Sequence, residues 1–112
     1  MKVWQKAIDL TVDLYRIIEK LPDTEKFGLC SQLRRCTVSI SSCIAEGYGR
    51  YTDKEMVHYL RMARGSLYEL ITQLIICQRL KFIEEEDFQN LNQQAVEIDK
   101  MIISFINRLE KF

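Results

Sequence analysis

Basic side chains and tyrosines lie close together in the middle of the chain, a combination that suits nucleic-acid recognition. Tyr48 and Tyr51 flank Arg50, and exposed aromatic rings beside cations can stack on unpaired bases while the cations bind phosphates. We therefore predict a nucleic-acid-binding surface on the two helices that carry these residues. Its candidate cations are Arg34, Arg35, Arg50, Lys54, Arg61 and Arg64.

Two carboxylates offer another explanation for the same arginines. Glu46 and Glu69 both stand among apolar or small residues. Two such carboxylates could perform acid–base chemistry, but they more often hold arginines in a buried or half-buried ion-pair network. We interpret them as structural ion-pair candidates, with partners among Arg34, Arg35, Arg61 and Arg64. From the charges alone, a phosphate-binding surface and an internal ion-pair network both stay open.

The sequence contains few of the residues and motifs that enzymatic chemistry requires. His58 is the single histidine, and Glu55–His58 is the single E-x-x-H run, whereas a di-iron bundle site needs two such runs. Gly47-Tyr48-Gly49 lacks the rest of a phosphate-loop or dinucleotide pattern. We expect a protein that is not an enzyme and that has no cofactor and no metal site.

Composition indicates one domain, residues 1–112, with equal numbers of basic and acidic side chains, 16 each. Residues 1–81 carry 13 basic and 9 acidic side chains and residues 82–112 carry 3 and 7, so we expect a polyanion to contact the first part. Neither a signal peptide nor a membrane span is expected. The 4 cysteines contain no CxxC pair, which favours free, mostly buried thiols in the cytoplasm.

Helical periodicity divides the chain into four predicted helices. Helix one runs from Lys2 to Lys20 and is ended by Pro22, and helix two runs from Leu29 to Gly49, with Gly47 and Gly49 as its stop. Helix three follows a Thr52–Glu55 capping box and reaches about Leu80, and helix four starts in the acidic run 84–87. Asp23 or Thr24 is expected to cap helix two. Short links between long helices predict an all-α, antiparallel up-down-up-down four-helix bundle.

The apolar stripes of the four helices define the predicted core, and some apolar residues lie outside these stripes. Gly65-Ser66 interrupts helix three, and we expect another backbone to approach there. Helices three and four carry apolar residues outside their main stripes, which favours a homo-oligomer over a monomer. The predicted stripes are Trp4, Ala7, Ile8, Thr11, Leu14, Tyr15, Ile18 and Leu21 in helix one; Leu29, Leu33, Cys36, Ile40, Cys43 and Ile44 in helix two; Met56, Leu60, Ala63, Leu67, Leu70, Leu74 and Cys77 in helix three; and Phe88, Leu91, Ala95, Ile98, Ile102, Phe105, Leu109 and Phe112 in helix four.

An ordered set of short motifs resembles a known family. The set comprises Gln32-Leu33-Arg34-Arg35, Ser39-Ile40, Ile44-Ala45-Glu46-Gly47, Gly49-Arg50, Gly65-Ser66-Leu67 and Glu69-Leu70, with Trp4, Ala7, Pro22 and Glu25 before them. It is similar to the small bundle proteins encoded in intervening sequences of bacterial 23S ribosomal RNA genes, and to the accessory protein of diversity-generating retroelements. The family commonly has Asn where this chain has Cys43.

This resemblance implies an antiparallel four-helix bundle that assembles as a ring-like homopentamer. The retroelement relative binds nucleic acid through a basic surface and associates with a reverse transcriptase. By resemblance, that role falls on Arg34, Arg35, Arg50 and Arg64 here. The expected partners are thus further copies of the chain, together with ribosomal or other structured RNA. The alternative is an oligomeric scaffold that binds a protein partner and no nucleic acid.

Overall fold

The computed structural model describes residues 1–111 and places most of them in four long helices. These are α1 (Lys2–Ile18), α2 (Leu29–Tyr48), α3 (Asp53–Arg79) and α4 (Glu85–Glu110), with one short 3₁₀ helix at Asp23–Glu25. No strand occurs within the described range. The predicted all-α class is confirmed.

The four long helices contact one another in a closed cycle. Contacts join α1 to α2, α2 to α3, α3 to α4, and α4 back to α1, so α1 and α3 lie diagonally opposite, as do α2 and α4. Hydrogen bonds between α3 and α4 pair early residues of one helix with late residues of the other, as between Arg61 and Glu110 and between Gln78 and Glu85. The arrangement is compatible with the predicted up-down-up-down bundle and measures 48 × 23 × 18 Å.

The core follows the heptad stripes of α3 and α4 closely. All seven predicted stripe residues of α3 are buried, as are those of α4 from Phe88 to Ile102. Phe105 and Leu109 are half-buried against the same core, and the predicted Phe112 lies outside the described residues. Burial of these large aliphatic side chains supplies the main driving force for folding.

Helix α1 turns a slightly different face to the core than predicted. Its buried residues are Val3, Ala7, Leu10, Leu14 and Ile18, so Leu10 lies at the centre of the buried stripe. Tyr15, placed in the core stripe by spacing, is 40% exposed. Because i, i+3, i+4 spacing gives a wide stripe, its centre is fixed only by the neighbouring helices.

The link between α1 and α2 differs from its prediction. The α1 helix ends at Ile18, two residues before the predicted Lys20, and Asp23 and Thr24 belong to the 3₁₀ helix that follows Pro22. The expectation that either of them caps α2 is therefore wrong, because the N-cap of α2 is Gly28 and carries no side-chain cap.

Two glycines have surroundings that differ from the predicted ones. Gly47 was expected to stop helix two, but it is a buried residue inside α2, where an added Cβ would lie 2.8 Å from Cβ of Tyr59. Gly65-Ser66 was expected to admit another backbone; an added Cβ at Gly65 would meet nothing within 4 Å, whereas Ser66 Oγ lies 2.9 Å from Ser39 Oγ of α2. The close approach of α2 and α3 thus occurs near their shared link, and Gly49 is the C-cap of α2.

Candidate nucleic-acid interface

The link between α2 and α3 displays two tyrosines on the surface. The link contains Gly49, the C-cap of α2, and Thr52, the N-cap of α3. The Thr52 Oγ1 accepts a hydrogen bond from the Glu55 N–H at 3.1 Å. This bond is the Thr52 half of the predicted capping box. Tyr48 is 66% exposed and Tyr51 is 95% exposed, and a large apolar ring held fully in solvent is unusual enough to indicate a contact surface.

Arg50 is held by its own neighbours on this link. Its Nε donates to Glu46 Oε2 at 3.1 Å, and a terminal nitrogen donates to the Tyr59 hydroxyl at 3.0 Å. The hydrogen bond with Glu46 raises the pKa of Arg50. Glu46 was predicted to pair with Arg34, Arg35, Arg61 or Arg64 in a buried or half-buried network; instead it forms this surface pair, one helical turn away.

Arg61 and Arg64 point across α3 towards α4. A terminal nitrogen of Arg61 donates to both carboxylate oxygens of Glu110, at 3.0 and 3.2 Å. The Arg64 Nε donates to Asp99 Oδ1 at 2.7 Å, which raises the pKa of Arg64. Tyr68 donates to the other oxygen of Asp99 at 2.9 Å. We call this set of contacts the α3–α4 seam, and in it both arginines have carboxylate partners.

The other three predicted cations form no ion pair within residues 1–111. Arg34 is half-buried with its guanidinium 5.8 Å from the ring centre of Tyr15 on α1, while Arg35 and Lys54 are exposed. A cation without a carboxylate partner can bind a phosphate without first breaking a bond inside the protein.

Glu69 has a different role from the predicted one. It is exposed and joins no ion pair among the described residues. Burial of the Cys36 thiol on α2, together with the nearby negative charge of Glu69, raises the pKa of Cys36 to about 11. The prediction of Glu69 as an ion-pair partner is therefore wrong.

The six predicted cations do not form one continuous surface on a single chain. Arg34 contacts α1, whereas Arg61 and Arg64 contact α4. Since the helices form a cycle, the α1–α2 side and the α3–α4 side face away from each other. Arg50 and Lys54 lie at the end of the bundle, beside the tyrosines.

A further group of cations at this end was missed in the sequence. Lys2 at the start of α1 lines one groove together with Lys100 and Arg108 from the last turns of α4. Their shared location follows from the packing of α1 on α4. One local signal was available, because Lys100, Ser104 and Arg108 are spaced i, i+4, i+8 on one helix face.

The remaining residues that could perform chemistry are the histidine and the cysteines. His58 is exposed, and its ring lies edge-on to Tyr59 at 5.1 Å. Within residues 1–111, no cluster of three His, Cys, Asp or Glu side chains could hold a metal ion. The four cysteines are free, and Cys30, Cys36 and Cys77 are buried, as predicted. Among the described helices, none combines the length and apolarity needed to cross a membrane.

Comparison with known proteins gives a family and a fold. The family model for the 23S rRNA-intervening sequence protein matches residues 1–104. A crystal structure of a protein of unknown function from the S23 ribosomal protein family of Bacteroides thetaiotaomicron is similar, with a TM-score of 0.86 and 24% identity. That similarity covers 93% of this chain and 97% of the other. A search of curated proteins found no match.

Proposed function

We propose that this chain, which belongs to the 23S rRNA-intervening sequence protein family, is a non-enzymatic, cytoplasmic homo-oligomer that binds RNA. In this proposal, each protomer is an antiparallel up-down-up-down bundle, and basic side chains of α2 and α3 contact phosphates. The family resemblance supports assembly as a ring-like homopentamer.

The observation that carries the proposal is the set of predicted cations without carboxylate partners. Arg34, Arg35 and Lys54 belong to that set. Cations of this kind bind phosphates mainly through release of the counterions condensed on the nucleic acid. Arg50 adds a partly satisfied guanidinium between two exposed tyrosines.

Oligomerisation is supported by the outer face of α3. Between Arg64 and Arg79 this helix carries one charged residue, Glu69, although several of its large apolar side chains are exposed. These are Met62, Tyr68, Ile75 and Ile76, and they are followed by the exposed C-cap residue Leu80. An exposed apolar face of this kind favours contact with a second copy, and repeated copies of a weak phosphate site would raise the overall affinity.

A protein-binding scaffold is the alternative, and the paired arginines favour it. Arg50, Arg61 and Arg64 all have carboxylate partners, so half of the predicted cations are explained without a nucleic acid. In this alternative the oligomer would use its apolar surface for a protein partner, and the remaining cations would serve only to keep it in solution.

Binding to RNA across salt concentrations tests the proposal. Nuclease-treated protein of verified solution mass is titrated into labelled single- and double-stranded RNA, and fluorescence anisotropy is followed from about 50 to about 200 mM salt. We expect binding that weakens steeply with salt. For Arg34→Glu/Arg35→Glu we expect affinity to fall about tenfold or more and the salt slope to decrease by about two.

A matched control separates local from overall charge effects. Lys26→Glu/Arg79→Glu makes the same change in net charge with two exposed cations that form no ion pair within residues 1–111 and do not belong to the predicted basic set. Equal losses in both double variants would remove α2 from the proposal. No binding of any RNA by a correctly assembled wild-type oligomer would overturn the proposed function and leave the scaffold.

A further inference from the structure

Two adjoining grooves occupy the end of the bundle where α1 and α3 begin and α2 and α4 end. The first lies between α1 and α4 and has a volume of about 500 Å³. The second lies between the α2–α3 link and α4 and has a volume of about 340 Å³. Phe105 lines both, so the two form one continuous surface, which we call the terminal groove.

The α1–α4 part of the terminal groove is basic. Lys2, Lys100 and Arg108 line it over an apolar floor of Val3 and Met101, and no carboxylate is among its lining residues. None of the three cations forms an ion pair within residues 1–111. The three charges line one groove that has no carboxylate among its described lining residues, an arrangement that attracts anions.

The other part of the terminal groove is aromatic. Tyr48, Tyr51 and Phe105 line it, with Met56 and Leu109 between them. Arg108 joins the two parts, because its guanidinium lies 5.3 Å from the ring centre of Phe105. Among the large hydrophobic side chains of the described residues, Tyr51 is the most exposed, and Tyr48 is exceeded otherwise only by Phe27, which lies in the α1–α2 link at the other end of the bundle. Each ring can therefore accept a planar partner without rearrangement of the core.

This order of chemical groups fits a particular form of nucleic acid. Cations without partners bind phosphates, and open tyrosine faces bind bases only when those bases are unstacked from their neighbours. A duplex presents phosphates but keeps its bases stacked, so it would use the basic part alone. Asp53 lines the far side of the aromatic part and repels phosphates, which directs the backbone towards Lys100 and Arg108.

We propose that the terminal groove binds single-stranded RNA, with phosphates on Lys2, Lys100 and Arg108 and unpaired bases stacked on Tyr48 and Tyr51. The inference rests on the proposed function, since it names the form of RNA bound and adds a site that involves neither Arg34 nor Arg35. It places the main phosphate contacts partly in the acidic last quarter of the chain, contrary to what the charge distribution along the sequence suggests.

Matched single- and double-stranded probes test this inference. Full-length protein is titrated into an unstructured labelled RNA of about 12 nucleotides and into the same strand annealed to its complement. We expect tighter binding of the single strand. Lys100→Glu/Arg108→Glu should weaken both probes about tenfold or more, whereas Lys26→Glu/Arg79→Glu should change either by less than about threefold.

Substitution of the tyrosines distinguishes the proposed single-strand site from a general anion site. Tyr48→Ala/Tyr51→Ala should weaken single-strand binding about tenfold or more while leaving duplex binding and the salt slope unchanged. Circular dichroism and solution mass show whether each variant still folds and assembles, and Tyr48→Phe/Tyr51→Phe should retain the single-strand preference because its ring faces remain.

The outcomes distinguish this inference from the proposed function. Equal affinity for both probes, or no effect of the tyrosine substitutions, would overturn the terminal groove as a single-strand site while RNA binding itself would stand. Competition by polyglutamate as effective as that by RNA would instead make the groove a general site for acidic polymers. Absence of binding to both probes would overturn the proposed function and this inference together.

Discussion

Cations on the two sides of α4 differ in whether a carboxylate lies within hydrogen-bonding distance. On the side facing α3, Asp99 accepts from Arg64 at 2.7 Å and Glu110 accepts from Arg61. On the side facing α1, Lys100 and Arg108 line a groove without a carboxylate. Asp99 and Lys100 are adjacent in sequence, yet one closes an interhelical contact and the other stays available for a ligand.

This difference shows what separates a structural cation from a candidate binding residue. Residue type and local net charge are similar on both sides, so neither can decide the role. What decides it is whether the packing of a neighbouring helix brings a carboxylate within reach. Side-chain exposure does not decide the role either, since within the α3–α4 seam the Asp99 side chain is only 14% exposed whereas that of Arg61 is 60% exposed.

Charge reversal on each side should give the largest contrast in stability. Arg64→Glu places a carboxylate beside Asp99 and removes a hydrogen bond to a mostly buried group, and we expect it to lower the free energy of unfolding by about 2 kcal/mol. Arg108→Glu removes a cation that has no carboxylate partner within residues 1–111, and its effect should stay within about 0.5 kcal/mol. Urea denaturation followed by circular dichroism measures both.

The combined variant Arg64→Asp/Asp99→Arg serves as the control for this contrast, because it restores opposite charges across the same seam. It should recover part of the lost stability. Equal destabilisation by Arg64→Glu and Arg108→Glu would mean that the α1–α4 groove is also held together by its cations, and the distinction between the two sides would fail.

A smaller effect should separate the two ion pairs within the α3–α4 seam. For Arg64 and Asp99, a double-mutant cycle to alanine should give a coupling of about 1 kcal/mol, since Asp99 is shielded and has charged hydrogen bonds. Arg61 and Glu110 are more exposed, at 60% and 48% of their side chains, and should couple by about 0.3 kcal/mol. Raising the salt concentration should weaken the Arg61 coupling more. A coupling for Arg61 as large as that for Arg64 would contradict this ranking.

The fold was largely predictable because its information is local and repeated. The α3 stripe from Met56 to Cys77 has seven members that span three heptads, and every member is buried. Because the pattern is repeated, an uncertain assignment at one position does not change the predicted helix. The link residues carry no comparable repetition, and there the predicted caps at Asp23 and Thr24 were wrong.

The candidate site was less predictable because its contacts depend on which helix faces meet. The pairing of Glu46 with Arg50 is an i, i+4 contact that the sequence could show, but the expected partners were distant arginines. Arg64 and Asp99 are 35 residues apart, and nothing local to either predicts the contact. The same holds for the glycines, since only the packing of α2 on α3 reveals that Gly47, not Gly65, is confined.

The last predicted effect concerns the backbone that presents the aromatic part of the terminal groove. Tyr51 has a φ of 67° and Lys81, at the opposite end of the bundle, has a φ of 60°, in the left-handed region that glycine adopts without steric cost. Replacing either residue with glycine should raise the free energy of unfolding by about 0.5 kcal/mol, because relief of strain slightly exceeds the greater entropy of the unfolded chain.

The two glycine variants should differ in function even though their stabilities change alike. Tyr51→Gly removes a ring that is 95% exposed, so it should gain stability and lose single-strand affinity by about fivefold or more. Lys81→Gly should gain the same stability with less than about a twofold loss of affinity, since it removes one exposed cation far from the terminal groove. Parallel measurement of urea midpoints and RNA affinity compares them. If Tyr51→Gly bound single-stranded RNA as well as Lys81→Gly does, the strained tyrosine would have no part in ligand binding.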